Sequence, residues 1–367
     1  MIMTKIAYGA YRVFWAFRLM LVVIGALAVS AAIGLAVSAA FAKDEEILNL
    51  EQSLNTVQDF SKNKRAQKIP QILRAGKYDE AYDYYVQGFY LKAFRAALRR
   101  AENNDPKAQT LVGKMYMEGY AVTQDGARAA LWFGRAAKQG DPHAQLRYGL
   151  MLFNGNFVKK NEEEGEKLIH EAMQAGLKEA YFYCGQLLLY KTMREKENLK
   201  GVAAADDNDE NSDKALAFFL KGAALGDAEA AFAAAQILAV GTMKYPRHDH
   251  YARRLMTIAA QKKHVMAQMM LAQWLLQGRG GEADFKEAFS LLYDNALKRV
   301  MPAQVNLARV YRDGLGVEGD IVTAAAWYLV VKSGKGQAAD LEMMLEGMSQ
   351  AQLEQAHQKA YELMQLF

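Results

Sequence analysis

"GKMYMEGYAVTQDGARAALWFGRAAKQGDP", residues 113–142, decides the fold. Its small and aromatic residues Gly113, Tyr116, Gly119, Ala129, Trp132, Ala136 and Gly140 recur at a fixed interval along the chain, the signature of a repeat architecture. Aligned on the alanine that opens each unit, the copies begin at Ala108, Ala144, Ala180, Ala230, Ala267 and Ala303. Five residues after each alanine stands Gly113, Gly149, Gly185, Ala235, Ala272 or Ala308, always small. Eight after it stands Tyr116, Leu152, Leu188, Leu238, Leu275 or Tyr311, always bulky. Eleven after it stands Gly119, Gly155, Gly241, Gly278 or Gly314, and only the third unit departs, with Lys191. Glycine there suits a helix end, where the chain enters left-handed backbone space.

A second segment follows in each unit. In Asp125–Gly140 the residues Ala129, Trp132, Ala136 and Ala137 return at helical spacing and form one apolar stripe. Asp105-Pro106 and Asp141-Pro142 mark helix starts, since aspartate caps free N–H groups and proline is tolerated at the first helical position. Each unit therefore reads as helix, turn, helix. Neither helix buries its stripe alone, so successive pairs must stack. The expected fold is all-α: a superhelical α-solenoid of about six helix-turn-helix repeats with helical caps at both ends.

The stretch from Ala108, "AQTLVGKMYMEGYAV…AALWFGRAAKQGD", and its echo from Ala303, "AQVNLARVYRDGLGV…AAAWYL", resemble SEL-one-like repeats, relatives of the tetratricopeptide repeats. The resemblance covers residues 107–337, divided as 107–142, 143–178, 179–228, 229–265, 266–301 and 302–337, and Gly88–Pro106 is similar to a lone second helix. Its departures are the lengthened third unit, the missing tryptophans of the middle units, and Lys263 or Arg299 near the usual terminal glycine. The resemblance implies an adaptor or scaffold in an assembly or signalling process, and for an exported bacterial member a role in regulating envelope signalling or assembly.

Residues 1–42 differ from the rest. Lys5, Arg12 and Arg18 precede an uncharged run from Leu19 to Ala42 that ends in Ala40-Phe41-Ala42, the features of a secretory signal. The same run is long enough to serve as an uncleaved anchor, the one expected link to a membrane. Either way the remainder is expected to be exported to the periplasm. Removing these residues leaves 42 Lys+Arg against 41 Asp+Glu, and this neutrality argues against a nucleic-acid partner. Residues 43–68 read as a polar lead-in ending in the basic "SKNKRAQK", 69–106 as a cap and partial repeat in which Tyr78, Tyr82, Tyr84 and Tyr85 crowd together, and 338–367 as capping helices, with Ser349 as a helix cap.

Catalytic and metal motifs are weak. Cys184, the single cysteine, excludes an intramolecular disulfide and reads as a small buried apolar residue. In the third unit's acidic stretch Asp207, Asp209 and Asn211 alternate without the central glycine and terminal glutamate of a calcium loop. His248-Asp249-His250 lacks an evident further ligand. No G-x-S-x-G elbow, phosphate-cradling glycine loop or H-E-x-x-H occurs. No enzyme activity, cofactor or metal is expected.

Function is then expected on the extended surface. At about 100° per residue, slots 0, +4, +5 and +8 of each first helix point to the packing stripe, and slots −1, +2, +6 and +9 point away. The outward slots hold Leu146, Phe153, Phe182, Leu189, Phe232 and Met269, with amides Gln186, Gln236 and Gln273 at +6 and Tyr190 nearby. These ten residues form the expected partner face for a protein or peptide segment, since contiguous exposed apolar area marks interaction sites. Lys107, Lys114 and Glu118 at one end and Arg309, Arg312 and Asp313 at the other are expected to orient it. Two alternatives stand beside this reading. The array fills its own groove, or the face takes a cell-wall or polysaccharide ligand, with Glu179 and Glu229 available for hydrolysis.

Overall fold

The computed structural model describes residues 79–198, 210–242 and 244–366, and residues 1–78, with the lead-in and the secretory run, lie outside it. The described residues form sixteen α-helices and no strand. The first helices of the six repeats are α3 (Pro106–Glu118), α5 (Pro142–Asn154), α7 (Lys178–Asn198), α9 (Ala228–Val240), α11 (Val265–Gln277) and α13 (Met301–Asp313). Their partners are α4 (Gly126–Lys138), α6 (Glu162–Gln174), α8 (Glu210–Ala224), α10 (Asp249–Gln261), α12 (Phe285–Ala296) and α14 (Ile321–Ser333). Before them lie α1 (Glu80–Val86) and α2 (Tyr90–Glu102), and after them α15 (Ala339–Glu346) and α16 (Gln350–Gln365). Each helix packs chiefly on its neighbours in sequence, and α2 packs on α3 as a second helix would. The expected all-α solenoid is the observed architecture.

The repeat alanine has two tasks. Ala108, Ala144, Ala230 and Ala267 are all but fully buried between helices. Their backbone N–H groups are also the ones met by the cap three residues earlier, Asp105, Asp141, Asp227 and His264. Asp125, Asn161, Asp284 and Asp320 do the same for the second helices. Such caps each stabilise a helix by about 1 kcal/mol. His264 is the unexpected member: its Nδ1 accepts from Ala267 while its ring lies on Phe232, 4.5 Å between centroids.

Gly119, Gly155, Gly278 and Gly314 end their helices in left-handed conformation, as the eleventh slot requires. Where Lys191 takes that slot no residue turns the chain, and α7 runs on to Asn198. Its extra turns are held by Lys191 to Glu166 and by Arg194 to Glu162. The end of every second helix makes another left-handed turn, through Gly140, Gly176 and Gly226 but also through Lys263, Arg299 and Lys335, and Asn104 does the same after α2. The geometry survives the loss of glycine at a cost of about 1–2 kcal/mol per residue. A Lys263→Gly, Arg299→Gly variant should therefore melt higher by about 1–3 °C, because the relief exceeds the roughly 0.4–1 kcal/mol that each glycine returns to the unfolded chain. Calorimetry giving an unchanged or lower Tm would contradict this account.

At the carboxyl end Ser349 and Gln352 form a capping box, and α16 packs on α14 where a further repeat would stand. Near the amino end Tyr90 stacks on Tyr120 at 4.3 Å, and Tyr85 lies against both and donates to Glu118.

Candidate functional site

Neighbouring first helices α7 and α9 touch directly, whereas no neighbouring pair of second helices among the described residues makes comparable contact. These first helices thus have three kinds of neighbour. Slot +5 faces the second helix of the same repeat, and the closest approaches explain the small residue: a Cβ on Gly113 would stand 2.9 Å from the Phe133 ring, and one on Gly185 2.4 Å from Phe219. Slots 0 and +4 face the preceding second helix, where Ala144 packs with Ala136 and Ala137 and Tyr148 lies over Gly134. Slot +1 faces the preceding second helix. There Gln109, Gln268 and Gln304 are buried and donate to the carbonyls of Ala101, Ala260 and Ala296, locking consecutive repeats in one register. Buried amides of this kind are stabilising only when met, and here the backbone meets them. This recurrent glutamine is legible as A-Q in four of the six units, although the carbonyl it serves is not.

Slot +2 lies at the seam between neighbouring first helices. Leu146 and Met269, in this slot, are buried at 3% and 9% exposure and so offer no open surface. Phe182 and Phe232 are half-buried, the first against Phe219 of α8 and the second under His264, which opens α11. Phe153 and Leu189, in slot +9, are also half-buried, and Phe153 meets Tyr190 edge-on at 5.4 Å. The open row comprises slots −1, +6 and +10, which differ by seven and eleven residues and so share one helical side. It presents Glu179, Gln186 and Tyr190 on α7, Glu229, Gln236 and Val240 on α9, and Met266, Gln273 and Gln277 on α11. All but the half-buried Glu179 are exposed, Val240 to 80% and Met266 to 58%. Among the described residues none of Gln186, Gln236 and Gln273 shares a side-chain hydrogen bond.

The two ends of this face differ from expectation. Arg309 and Arg312 are not free to orient a partner: Asp340 of α15 accepts from both, and Arg312 also bonds Asp313. The two guanidiniums hold the Asp340 carboxyl far below the usual carboxylate range. Helix α15 thus takes up both arginines of the sixth repeat. Lys114 lies 4.7 Å from the Tyr85 ring centroid and 3.9 Å from Glu118, leaving the amino end partly engaged.

Other candidate chemistry is absorbed by packing. Asp249 accepts from Arg247 and Arg279, and His250 lies 3.3 Å from the Gly280 carbonyl. Asn211 donates to Thr192, while Asp207 and Asp209 lie outside the described residues. Burial pushes the Cys184 thiol up to about 12, which suits a packing residue and not a nucleophile. No helix among the described residues is long and apolar enough to cross a membrane.

The Sel1 repeat family profile matches residues 106–141, 142–177, 209–227, 228–264, 265–293 and 302–329, about half of the chain. Among solved structures the chain is similar to c5321, a protective antigen present in uropathogenic Escherichia coli strains and displaying an SLR fold, at 24% identity and a TM-score of 0.61. That likeness covers 76% of this chain and 57% of the other, so the chain spans little more than half of that protein's length. It is also similar to a Sel1 repeat protein from Oxalobacter formigenes, at 23% identity and a TM-score of 0.53, over 71% of this chain and 100% of that one. At such identities the two likenesses extend to the fold alone. The six matched segments fall one on each observed repeat, the third on α8 alone: the chain belongs to the Sel1 repeat family, whose members generally mediate protein–protein interactions.

Proposed function

We propose that this protein is a non-enzymatic scaffold or adaptor, exported to the periplasm, that holds a protein or peptide segment on the inner face of repeats three to five. The observation that carries the reading is the row of unengaged amides, Gln186, Gln236 and Gln273, standing on three consecutive first helices. An extended backbone offers alternating N–H and C=O groups, and amides that both donate and accept can meet either. Tyr190, Phe182, Leu189 and Phe232 supply apolar and aromatic contact beside that row, and aromatic residues are enriched at interfaces. Leu146 and Met269, buried beneath, support the face by fixing the helices that present it. The division of the chain into an export segment at 1–42, repeats at 107–337 and caps belongs to the same reading.

The test is a crosslinked pull-down from bacterial envelope extract with the native chain and a Gln186→Ala, Gln236→Ala, Gln273→Ala, Tyr190→Ala variant. All four side chains are exposed, so the variant should fold. One protein captured by the native chain and reduced about tenfold or more by the variant is the expected result, equivalent to roughly 1.4 kcal/mol of binding. Equal capture by both would move the binding site elsewhere.

A further inference from the structure

The outward sides of α2 and α4 are basic. Helix α2 carries Lys92, Arg95, Arg99 and Arg100 against Glu102, and α4 carries Arg128, Arg135 and Lys138 with no acid. The next second helix, α6, reverses the sign, with Glu162, Glu163, Glu164, Glu166 and Glu171 against Lys167. At about 100° per residue, Lys92, Arg95 and Arg99 point away from the buried Ala93, Ala97 and Ala101, as Arg128, Arg135 and Lys138 point away from Ala129, Phe133 and Ala137. These six cations are exposed. Lys92 and Arg128 hold the same place in successive helix pairs, 36 residues apart, and so do Arg99 and Arg135. Gln139 after α4 donates to Asn104 after α2 at 3.2 Å, so the two helix ends stand side by side.

Little inside the molecule neutralises these charges. Among the described residues Arg95, Arg99 and Lys138 share no ion pair or side-chain hydrogen bond. Lys92 lies over the Tyr84 and Phe89 rings and Arg135 over Trp132, contacts that leave a full positive charge at the surface. Only Arg128 of the six meets a carboxylate, Asp125 at 3.2 Å. Arg100, by contrast, is paired with both Asp79 and Asp105 and stands outside the group. Apolar side chains interrupt the cations on the same sides: Leu91 is 54% exposed and Leu131 65%. Unpaired like charges repel one another and exposed leucines are unfavourable in water, so a surface both anionic and apolar relieves both. A lipid bilayer has phosphates at its headgroups and hydrocarbon just beneath, whereas a nucleic acid or an acidic polysaccharide gives the leucines nothing to enter. We propose that α2 and α4 lie on an anionic membrane, with their lysines and arginines at the headgroup phosphates and Leu91 and Leu131 in the interface below. The same helices are the outward ones nearest in sequence to the uncharged run from Leu19 to Ala42, the expected link to a membrane. The amide row stands on other helices, α7, α9 and α11, so this proposal and the scaffold reading fail separately.

Co-sedimentation of the full chain with lipid vesicles tests this directly. Partition into phosphatidylcholine vesicles containing about 30% phosphatidylglycerol should exceed partition into phosphatidylcholine alone by about tenfold or more at low salt, and the excess should shrink as salt is added. An Arg95→Gln, Arg99→Gln, Arg135→Gln, Lys138→Gln variant should lose most of that excess, and an unaltered Tm establishes that it is folded. The run from Leu19 to Ala42 and its basic flank are common to both proteins, so the difference between them belongs to α2 and α4. A native chain indifferent to phosphatidylglycerol, or an equal excess in the folded variant, would overturn the proposal. Should that variant not fold, a Leu91→Ser, Leu131→Ser variant decides, because both side chains are exposed and neither carries charge. It should bind the anionic vesicles about threefold or more weakly, by loss of buried apolar area. Unchanged vesicle binding in this second variant, with full displacement of the native chain by soluble heparin, would give the face to a soluble polyanion and overturn the membrane assignment.

Discussion

Replacing Gly165 with valine should split the unfolding of the solenoid at its second repeat. Gly165 of α6 and Gly149 of α5 face one another with no side chain between them. A Cβ on Gly165 would stand 2.7 Å from the Gly149 carbonyl oxygen and 2.7 Å from the Phe153 amide nitrogen. Side chains in a crowded core can rotate away, at a typical cost of about 1–3 kcal/mol for the added volume. Here the obstacle is helix backbone, so α5 and α6 must separate along their length, and a loss of roughly 3 kcal/mol or more is expected. In a stack where each repeat touches only its neighbours, that loss is local in origin and selective in effect. The repeats on the carboxyl side keep their contacts, while those on the amino side lose their junction to them. Thermal unfolding followed by circular dichroism should show an early transition absent from the native chain. A single transition at the native Tm would mean that α5 and α6 are not held at backbone contact.

The same geometry marks how far the sequence could be read. The buried alanine, the small residue five places on and the glycine at the helix end are each imposed by a close approach or a positive φ, and those requirements recur with the repeat, so they stand out against variable surface residues. Ala144, Gly149 and Gly155 were legible in this way, and so was the pairing of helices. The width of the open face was not. Helical angle tells which side a residue occupies but not how many neighbours crowd that side. Slot +5 announces the partner in the same repeat, yet the first helices also meet the preceding second helix through residues such as Gln268 and, at Phe232, the His264 that opens the next first helix. The arc open to a partner is correspondingly narrower. It leaves Gln186 and Gln236 exposed and takes in Val240 and Met266, which the angular reading passed over as contact residues. The neutralisation of Arg309 and Arg312 by Asp340 was hidden for another reason: those partners lie 31 and 28 residues apart, and sequence spacing carries no sign of their meeting.

Phe219 connects the packing to the face, and a pair of substitutions should reveal the connection. Its ring is fully buried in α8, lies over Gly185 of α7 and sits 5.8 Å from the ring of Phe182, which it supports from beneath. Phe219→Ala removes that support and should cost about 3–5 kcal/mol, the transfer of the ring plus the cavity it leaves. Gly185→Ala in the native background adds a methyl group 2.4 Å from a Phe219 ring carbon and should cost about 1–3 kcal/mol by overpacking. Placed together, the methyl group enters the space the ring vacated. The double variant should therefore be more stable than the sum of the two single losses predicts, with a coupling of about 1–3 kcal/mol measurable by urea denaturation. Binding follows the same logic. Phe219→Ala frees Phe182 to turn inward, weakening whatever the native face holds, and Gly185→Ala in that background narrows the cavity and returns part of the affinity. Strict additivity in the urea experiment would show that the two positions do not share a contact, and would separate the small fifth slot from the ring that the repeat places against it.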